Sequence, residues 1–395
     1  MAAPTSHPVS PSPQDPHALI DNQADLDALI DRLLAEPAVA VDCEMDAMYA
    51  YRTRICLMQL GWDGGDALVD CMRPLDWTAL QPLFASRDVV KIFHGGENDI
   101  GLMTAHWGLR FETIFDTMSA AQVLGEEKVG LANLLQQHFD VTVSKKYQKA
   151  DWRVRPLPPD QAEYARLDVQ YLIPLRDILL ARLEELGRVE EALSDFDRIR
   201  VACVPDKPFD PDGWARVKGV RELDPARRGV LAAVYAVRDR LSQRLDRAPY
   251  RVARDVALIE MARRLPKSPG QLRRLHGVHR GLSEAELGEL LAAIEEGARQ
   301  KECKLPAHNH RRRPWESGSG PMTPEEQALF DKLRAWRVKR ADKRGVHISR
   351  VATNALLSSI VKAGPRDRAA LAAVEGMEPW RMREYGDELI ALLTA

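Results

Sequence analysis

The stretch from Ala38 to Met45 constrains the fold most, because its apolar run ends in two carboxylates. Val39 to Val41 contains no polar residue, which is typical of a buried central strand. Asp42 and Glu44 follow, and residues two apart on a strand lie on the same face. A buried carboxylate without a positive partner is costly, and bound divalent cations are a common compensation. The sequence therefore predicts a buried strand that ends in an acidic site.

Helix and strand signals alternate along the first 200 residues. Strands are predicted at 38–45, 54–62, 66–71 and 89–95, and Asp63, Gly64 and Gly65 are typical of a hairpin between the second and the third. Helices are predicted at 25–34, 80–84, 99–108, 118–124, 131–139 and 160–186. This alternation predicts the α/β class.

Strand signals vanish from about residue 211. Two helical blocks follow, at about 222–298 and 322–395, and similar segments at 262–278 and 359–377 indicate an internal duplication. The predicted divisions of the chain are a disordered tail at 1–17, an α/β domain at 18–205, a helical domain at 210–300, a basic linker at 301–321 and a second helical domain at 322–395.

Charge divides unevenly along the 395 residues, although the net charge is only −2. Residues 1–205 contain 19 Lys and Arg against 32 Asp and Glu, and residues 206–395 contain 37 against 26. An acidic part beside a basic part suits metal chemistry next to a polyanion, with ordinary solvated helix faces as the alternative interpretation. The five cysteines have no disulfide or zinc spacing, and no uncharged apolar run reaches membrane length. A protein of the cytoplasm without a membrane segment is expected.

Three further residues complete the acidic site. Asp99 follows the predicted strand at 89–95, and Tyr164 and Asp168 are four apart on one helix face. Each feature alone is typical of a strand end, a helix cap or an exposed helix turn. Together with Asp42 and Glu44, they offer only hard carboxylate oxygens, which favour Mg²⁺ or Mn²⁺ over zinc. Two such ions can act together on a phosphodiester bond.

The order of these motifs resembles the DEDDy class of 3′-5′ exonucleases. That class has a strand with DxE, an aspartate after a second strand and YxxxD on a helix. Within it, residues 20–185 resemble ribonuclease D, through DCEMDAMYAYRTRICLMQLG at 42–61, HGGENDIGLM at 94–103, FDTMSAAQVLG at 115–125 and the run 145–175. Residues 248–278, and less clearly 322–395, resemble the helicase-and-RNase-D C-terminal (HRDC) domain.

This resemblance implies an RNase H-like mixed-sheet exonuclease domain followed by two small all-α HRDC-like domains. It implies that Asp42, Glu44 and Asp168 hold one divalent cation, that Asp42 helps to hold a second, and that Asp99 acts through bound water. Tyr164 would position the nucleophile. Nucleoside 5′-monophosphates would be released from RNA with an unpaired 3′ end, as in the trimming of 3′ trailers from tRNA precursors.

Two positions depart from the family pattern. A threonine often follows the first aspartate and an aromatic residue often follows the glutamate, where this chain has Cys43 and Met45. Met45 can still offer an apolar surface to the terminal base or sugar, so the departure concerns specificity more than catalysis.

Basic and aromatic residues before the Tyr164 helix are candidates for RNA contacts. They could bind phosphates and stack on unpaired bases, although a solvated loop explains the same pattern. The candidate substrate-binding residues are Met45, His94, Lys145, Lys146, Trp152 and Arg153. For His94, a position within the core is the alternative.

Two other functions share some of these features. A DNA-directed 3′-5′ exonuclease would use the same acids, and a non-catalytic nucleic-acid-binding scaffold would use the basic helical blocks. The intact set of four acids and a tyrosine argues against a scaffold, and the HRDC-like blocks favour RNA. The chain contains no GxxxxGK[ST] phosphate loop, which argues against a helicase. A monomer is expected.

Overall fold

The computed structural model describes residues 19–144, 146–204, 208–300, 302–306 and 322–394. The predicted disordered tail at 1–17 and most of the predicted basic linker at 301–321 lie outside the described residues. Both stay predictions.

A mixed six-stranded sheet forms the centre of the N-terminal part. Its strands are β1 (Leu19–Ile20), β2 (Ala38–Met45), β3 (Ile55–Trp62), β4 (Gly65–Asp70), β5 (Val90–Phe93) and β6 (Ile114–Asp116). They lie in the order β1-β4-β3-β2-β5-β6, with β2 antiparallel to β3 and parallel to β5. The four predicted strands are confirmed to within a few residues at each end. The sequence pattern missed β1 and β6, which have only two and three residues.

Eight α-helices accompany this sheet in the described residues before 205. They are α1 (Gln23–Leu33), α2 (Gln81–Phe84), α3 (Glu97–Trp107), α4 (Thr117–Leu124), α5 (Leu131–Phe139), α6 (Pro159–Gln170), α7 (Leu172–Glu185) and α8 (Val189–Arg200). Apolar side chains from β2, β5 and most of these helices form one buried cluster. Helices and sheet thus share a core, as the predicted α/β class requires.

The long helix predicted at 160–186 is wrong, because the chain breaks at Tyr171 between α6 and α7. Tyr171 has φ −104° and ψ 0°, outside the usual helical values. Pro174 is the physical reason, since a proline inside a helix lacks the N–H group and its ring clashes with the carbonyl four residues earlier. The predicted long helix is therefore two helices, α6 and α7.

Two sets of five helices follow, and their lengths correspond in order. The first set is α9 (Pro225–Arg244), α10 (Pro249–Val252), α11 (Asp255–Arg264), α12 (Pro269–Arg273) and α13 (Glu284–Arg299). The second set is α14 (Pro324–Arg344), α15 (Ile348–Val351), α16 (Asn354–Ala363), α17 (Arg368–Ala372) and α18 (Pro379–Thr394). Each set has its own buried apolar cluster. No helix among the described residues is long and apolar enough to span a membrane.

A buried arginine repeats in the two helical sets. Arg238 in α9 donates from Nη1 to the carbonyl oxygen of Ala253 at 3.1 Å, and Arg337 in α14 donates to that of Ala352 at 2.9 Å. Each arginine also bonds to the first residue of the next long helix, at Asp255 or Asn354. The two sets are therefore copies of one structural unit, as the sequence similarity predicts.

Candidate active site

Strand β2 presents Asp42 and Glu44 on one face of the sheet. Val39, Val41 and Cys43 alternate with them and are buried on the opposite face. The pairing of β2 with β3 shifts between Glu44 and Met45, so the regular ladder ends just after the second carboxylate. Both acids are half-buried.

Asp99 lies in the first turn of α3, next to β2. The chain leaves β5 through Gly95, whose φ of +71° suits glycine, and Gly96 donates its N–H to Asp116 Oδ2 at 2.8 Å. Asp116 also caps α4 by accepting from the N–H of Ser119 at 2.8 Å. This tight turn brings Asp99 to a buried position, with 8% of its surface exposed.

Helix α6 supplies Tyr164 and Asp168, one turn apart. It packs against β3 at Gly61, where an added Cβ would lie 3.2 Å from the Val169 Cβ. The absence of a side chain at Gly61 lets the helix backbone come close to the sheet. Asp168 therefore reaches the face that carries Asp42 and Glu44.

Three of the four predicted metal ligands form one cluster. Oxygen atoms of Asp42, Glu44 and Asp168 lie within 4.8 Å of one another. Asp99 is outside this cluster but close enough for its charge to raise the pKa of Glu44, and the charge of Asp42 raises the pKa of Asp99. This arrangement agrees with a role for Asp99 that is less direct than that of the other three.

Burial and mutual repulsion disfavour the charged forms of these acids. Burial is the largest cause of the raised pKa of Asp42, Asp99 and Asp168, and it raises the pKa of Glu44 to about 10, with the charges of Asp42 and Asp168 adding to the effect. No Lys or Arg among the described residues contributes to lowering any of these values. Divalent cations would provide the missing positive charge, and Mg²⁺ and similar cations prefer oxygen ligands. The carboxylates present therefore fit a divalent cation.

The cluster opens into a cavity of about 370 Å³. Its wall comes from β2, the residue after β5, the start of α5, the loop before α6, and α6 itself. The lining residues are Asp42, Glu44, His94, Gly130, Leu131, Ala132, Asn133, Val143, Ser144, Gln148, Tyr164 and Asp168. Sequence reasoning missed Asn133, Ser144 and Gln148. Their polar side chains belong to no metal or catalytic motif, so only their position in space identifies them.

His94 lines this cavity, and its protonation state follows from its neighbours. Burial lowers its pKa to about 4, which keeps the imidazole neutral. Its Nδ1 lies 2.9 Å from Thr117 Oγ1, and that hydroxyl donates to the Phe93 carbonyl oxygen at 3.0 Å. The hydroxyl can therefore only accept from His94, so Nδ1 of the neutral imidazole carries the proton. Nε2 of the histidine is then an acceptor.

The other predicted substrate contacts have mixed outcomes. Met45 is half-buried at the end of β2 and packs against the core. Lys146 is 66% exposed and lies over the Tyr147 ring, with its Nζ 4.7 Å from the ring centroid. Lys145 lies outside the described residues.

The prediction that Trp152 stacks on unpaired bases is wrong, because only 1% of its surface is exposed. It packs with Leu57, Leu157 and Ala165 beneath α6, where its large apolar ring is removed from water. Arg153 forms an ion pair within the protein, since its Nε and Nη2 donate to the two carboxylate oxygens of Asp151 at 2.8 and 2.9 Å.

Family models match both parts of the chain. A model described as 3′-5′ exonuclease matches residues 18–184, which include the acids and the tyrosine of the cavity. The HRDC domain model matches twice, at residues 227–294 and 326–393, and this confirms the predicted HRDC likeness of both helical sets.

Known proteins match over most of the chain. Ribonuclease D from Gluconacetobacter diazotrophicus is 31% identical over 95% of this chain and 92% of its own length. The crystal structure of the catalytic core of RRP6 from Trypanosoma brucei has a TM-score of 0.66 and 27% identity, covering 71% of this chain and 79% of that chain. The structure of Escherichia coli RNase D, an exoribonuclease involved in structured RNA processing, has the same fold, with a TM-score of 0.60 and 23% identity over 95% of this chain and 98% of that chain. The chain therefore belongs to the ribonuclease D family and is a 3′-5′ exoribonuclease.

Proposed function

We propose that Asp42, Glu44, Asp99, Asp168 and Tyr164 form the catalytic centre and that the four acids hold two divalent cations, Mg²⁺ or Mn²⁺. The observation that carries the proposal is the cluster of Asp42, Glu44 and Asp168, whose oxygens lie within 4.8 Å of one another. Their raised pKa values reflect negative charge without a protein cation, and metal binding removes that cost.

Hydrolysis of the last phosphodiester bond releases a nucleoside 5′-monophosphate and leaves the RNA one nucleotide shorter. When bound, the divalent cations supply positive charge for the phosphate and increase the acidity of water. Tyr164 keeps its proton, because burial raises its pKa and the charge of Asp168 raises it further. Its hydroxyl therefore orients the attacking water through hydrogen bonds and does not remove a proton.

The substrate side of the cavity suits a terminal nucleotide. Nε2 of His94 is an acceptor and can receive a hydrogen bond from a ribose hydroxyl. Met45, next to Glu44, would offer an apolar contact, and Lys146, two residues before Gln148, would offer an exposed positive charge. We propose RNA with an unpaired 3′ end as the substrate, and 3′ trailers of tRNA precursors as the physiological case.

One experiment separates this proposal from its alternatives. Purified protein is incubated with 3′-extended tRNA, single-stranded RNA and DNA of matched length, with Mg²⁺, with Mn²⁺ or with EDTA, and the products are sized. We expect mononucleotides from both RNAs, released only with metal. Equal degradation of DNA would favour the DNA-directed alternative, and absence of mononucleotides under every condition would favour the scaffold.

Replacement of one acid tests the catalytic centre directly. Asp42→Asn should abolish hydrolysis and leave RNA binding largely intact, because a metal ligand is lost while the basic surface is unchanged. Asp63→Asn, which removes an exposed carboxylate in the β3–β4 turn, is the matched control and should keep full activity. Normal turnover by Asp42→Asn would disprove the assignment.

The predicted domain limits, the cytoplasmic location and the monomeric state complete the proposal. Limited proteolysis should cut within residues 205–210 and 301–321, if these segments separate the domains. Light scattering of the purified protein measures the oligomeric state, and fractionation of cells measures the location.

A further inference from the structure

The loop between β2 and β3, residues 46–54, begins two residues after Glu44. Asp46 is fully buried and organises the base of this loop, since its Oδ1 accepts from the Arg54 N–H at 2.7 Å and its Oδ2 from Arg54 Nε at 3.0 Å. Ala47 and Met48, nearer the tip, are exposed. The base of the loop is thus held by its own residues, and the N–H groups of Tyr49 and Ala50 also donate to the Asp46 carbonyl oxygen, at 2.7 and 3.0 Å.

The first helical set adds further bonds to this loop, from the turn between α9 and α10 and from α10 itself. The backbone N–H of Ala248 donates to the carbonyl oxygen of Tyr49 at 2.9 Å. Nε of Arg251 donates to the carbonyl oxygen of Met48 at 2.6 Å, and the Tyr250 hydroxyl donates to the same oxygen. Two consecutive carbonyl groups of the loop are therefore bonded to the HRDC domain.

Side chains extend the contact along the whole loop. The Tyr51 hydroxyl donates to Asp239 Oδ1 at 3.0 Å, and the Tyr51 N–H donates to Asp246 Oδ1 at 3.2 Å. Arg54, which binds Asp46 on one side, also bonds through Nη2 to Asp246 Oδ2 at 2.8 Å. The HRDC domain therefore contacts both the tip and the base of the loop.

Tyr49 connects this contact to the loop before α6, which lines another part of the cavity. The guanidinium carbon of Arg251 lies 3.9 Å from the centroid of its ring, and that of Arg153 lies 5.1 Å away. Cations over an aromatic ring are attracted by its π electrons. The Tyr49 hydroxyl donates to the carbonyl oxygen of Lys149 at 2.8 Å.

Lys149 is next to Gln148, which lines the cavity beside Tyr164. Gln148 and Tyr164 both line this cavity, together with Asp42, Glu44 and Asp168. A series of contacts thus leads from Arg251 through Tyr49 to Lys149, whose neighbour Gln148 shares the cavity with the candidate catalytic tyrosine.

We propose that the first HRDC domain positions the active site, by holding the β2–β3 loop and the segment 146–149 through Arg251 and Tyr49. This inference rests on the proposed role of the cavity in catalysis. Loops carry functional residues but are mobile unless other elements fix them, and a misplacement of about 1 Å can reduce a rate about 10²-fold. Arg251 and Tyr49 are then positioning residues, which act through Glu44 and Tyr164.

Short and long substrates distinguish positioning from RNA binding. Arg251→Ala should lower kcat by about tenfold or more on both a trinucleotide and a 20-nucleotide RNA, with little change in KM. Arg264→Ala, which removes an exposed arginine paired with Glu260 in α11, is the control and should change neither parameter. An increase in KM confined to the long RNA, with kcat unchanged, would show that Arg251 only binds RNA and would overturn the proposal.

Two further measurements distinguish a loss of positioning from misfolding and from failure of the proposed catalytic centre. Tyr49→Phe keeps the ring and loses only the bond to Lys149, so it should retain more activity than Tyr49→Ala. Amide hydrogen exchange within residues 46–54 and 146–149 should be faster in Arg251→Ala, with an unchanged Tm, whether or not Tyr164 acts in catalysis. Unchanged exchange in these segments would contradict the positioning role.

Discussion

Asp42, Glu44 and Asp168 are close together because two different elements bury them side by side. Strand β2 contributes the first two and helix α6 the third. Each carboxylate would be an ordinary solvated acid elsewhere on the surface. Burial and proximity raise their pKa values, as expected for the cation site that we propose.

The stability of the metal-free protein should fall as the pH rises. The folded-state pKa values lie above the ordinary carboxyl values of about 4, so the protonated acids stabilise the fold at low pH, and this contribution is lost as the pH rises toward the pKa of Glu44, about 10. Tm measured from about pH 5 to about pH 9 in EDTA should decrease, and Mg²⁺ should restore it most at the higher pH.

Glu44→Gln is the control for this titration, because it removes the group with the pKa of about 10. Its Tm should depend less on pH than that of the unchanged protein. Equal pH dependence of the two proteins would show that the acidic cluster does not cause the effect.

Tyr164→Phe should reduce kcat less than the loss of a metal ligand does. We expect a decrease of about 10²- to 10⁴-fold, typical of a lost hydrogen bond that positions a reacting group. Metal affinity, measured by calorimetry, should stay the same, because the phenol is not a proposed ligand. An unchanged kcat would remove Tyr164 from the mechanism.

Helix α6 and strand β3 set the distance across the active site. At Gly61 the strand and the helix backbone lie close together, since an added Cβ would lie 3.2 Å from Val169 Cβ and 3.3 Å from its carbonyl oxygen. Trp152 and Leu157 fill the space on the same side of the sheet. The packing of this one helix therefore determines where Tyr164 and Asp168 lie relative to β2.

Gly61→Ala should move α6 by a few tenths of an ångström and lower kcat by about tenfold or more. The free energy of unfolding should fall by about 1–3 kcal/mol, as in other overpacked cores. Gly288→Ala in α13, where an added Cβ meets no atom within 4 Å, is the control. It should keep full activity and gain about 0.5–1 kcal/mol of stability. Full activity of Gly61→Ala would show that the site tolerates a shift of the helix.

The second HRDC domain contacts the exonuclease domain through a buried carboxylate. Glu191 in α8 is 3% exposed, and its Oε2 accepts from Nη2 of Arg344 at 2.6 Å. Arg350 lies 3.6 Å from the other oxygen of Glu191. Gly125 and Gly345 also meet here, since a Cβ at Gly125 would lie 1.9 Å from the Gly345 carbonyl oxygen. Both helical sets are thus attached to the exonuclease domain, at different places.

Glu191→Ala should lower the free energy of unfolding by about 3 kcal/mol, because the largely buried guanidinium of Arg344 loses its acidic partner, whereas Arg350 keeps its pair with Asp195. Arg383→Ala tests an exposed pair across the same contact, Arg383 with Glu190, whose side chains are 61% and 49% exposed. Its effect on the free energy of unfolding should be much smaller, because water and salt screen an exposed ion pair. Chemical denaturation measures both variants, and equal effects would contradict the importance of burial.

The local pattern of apolar residues along the sequence was sufficient to predict much of the fold. The strand Ala38–Met45 was predicted with its observed ends, because apolar periodicity is a property of neighbouring residues. The break at Tyr171 was missed, although Pro174 marks it in the sequence. The burial of Trp152 was missed for another reason, since its partners Leu57 and Ala165 come from distant segments.

The sequence by itself determined the chemistry of the candidate site: four carboxylates and a tyrosine, in an order that resembles ribonuclease D. Tertiary structure decided which of them meet, with Asp42, Glu44 and Asp168 within 4.8 Å and Asp99 outside their cluster. It also decided that the first HRDC domain reaches Tyr49. The physical reason is that side-chain chemistry is local, whereas distances between elements depend on packing contacts made by residues far apart in the chain.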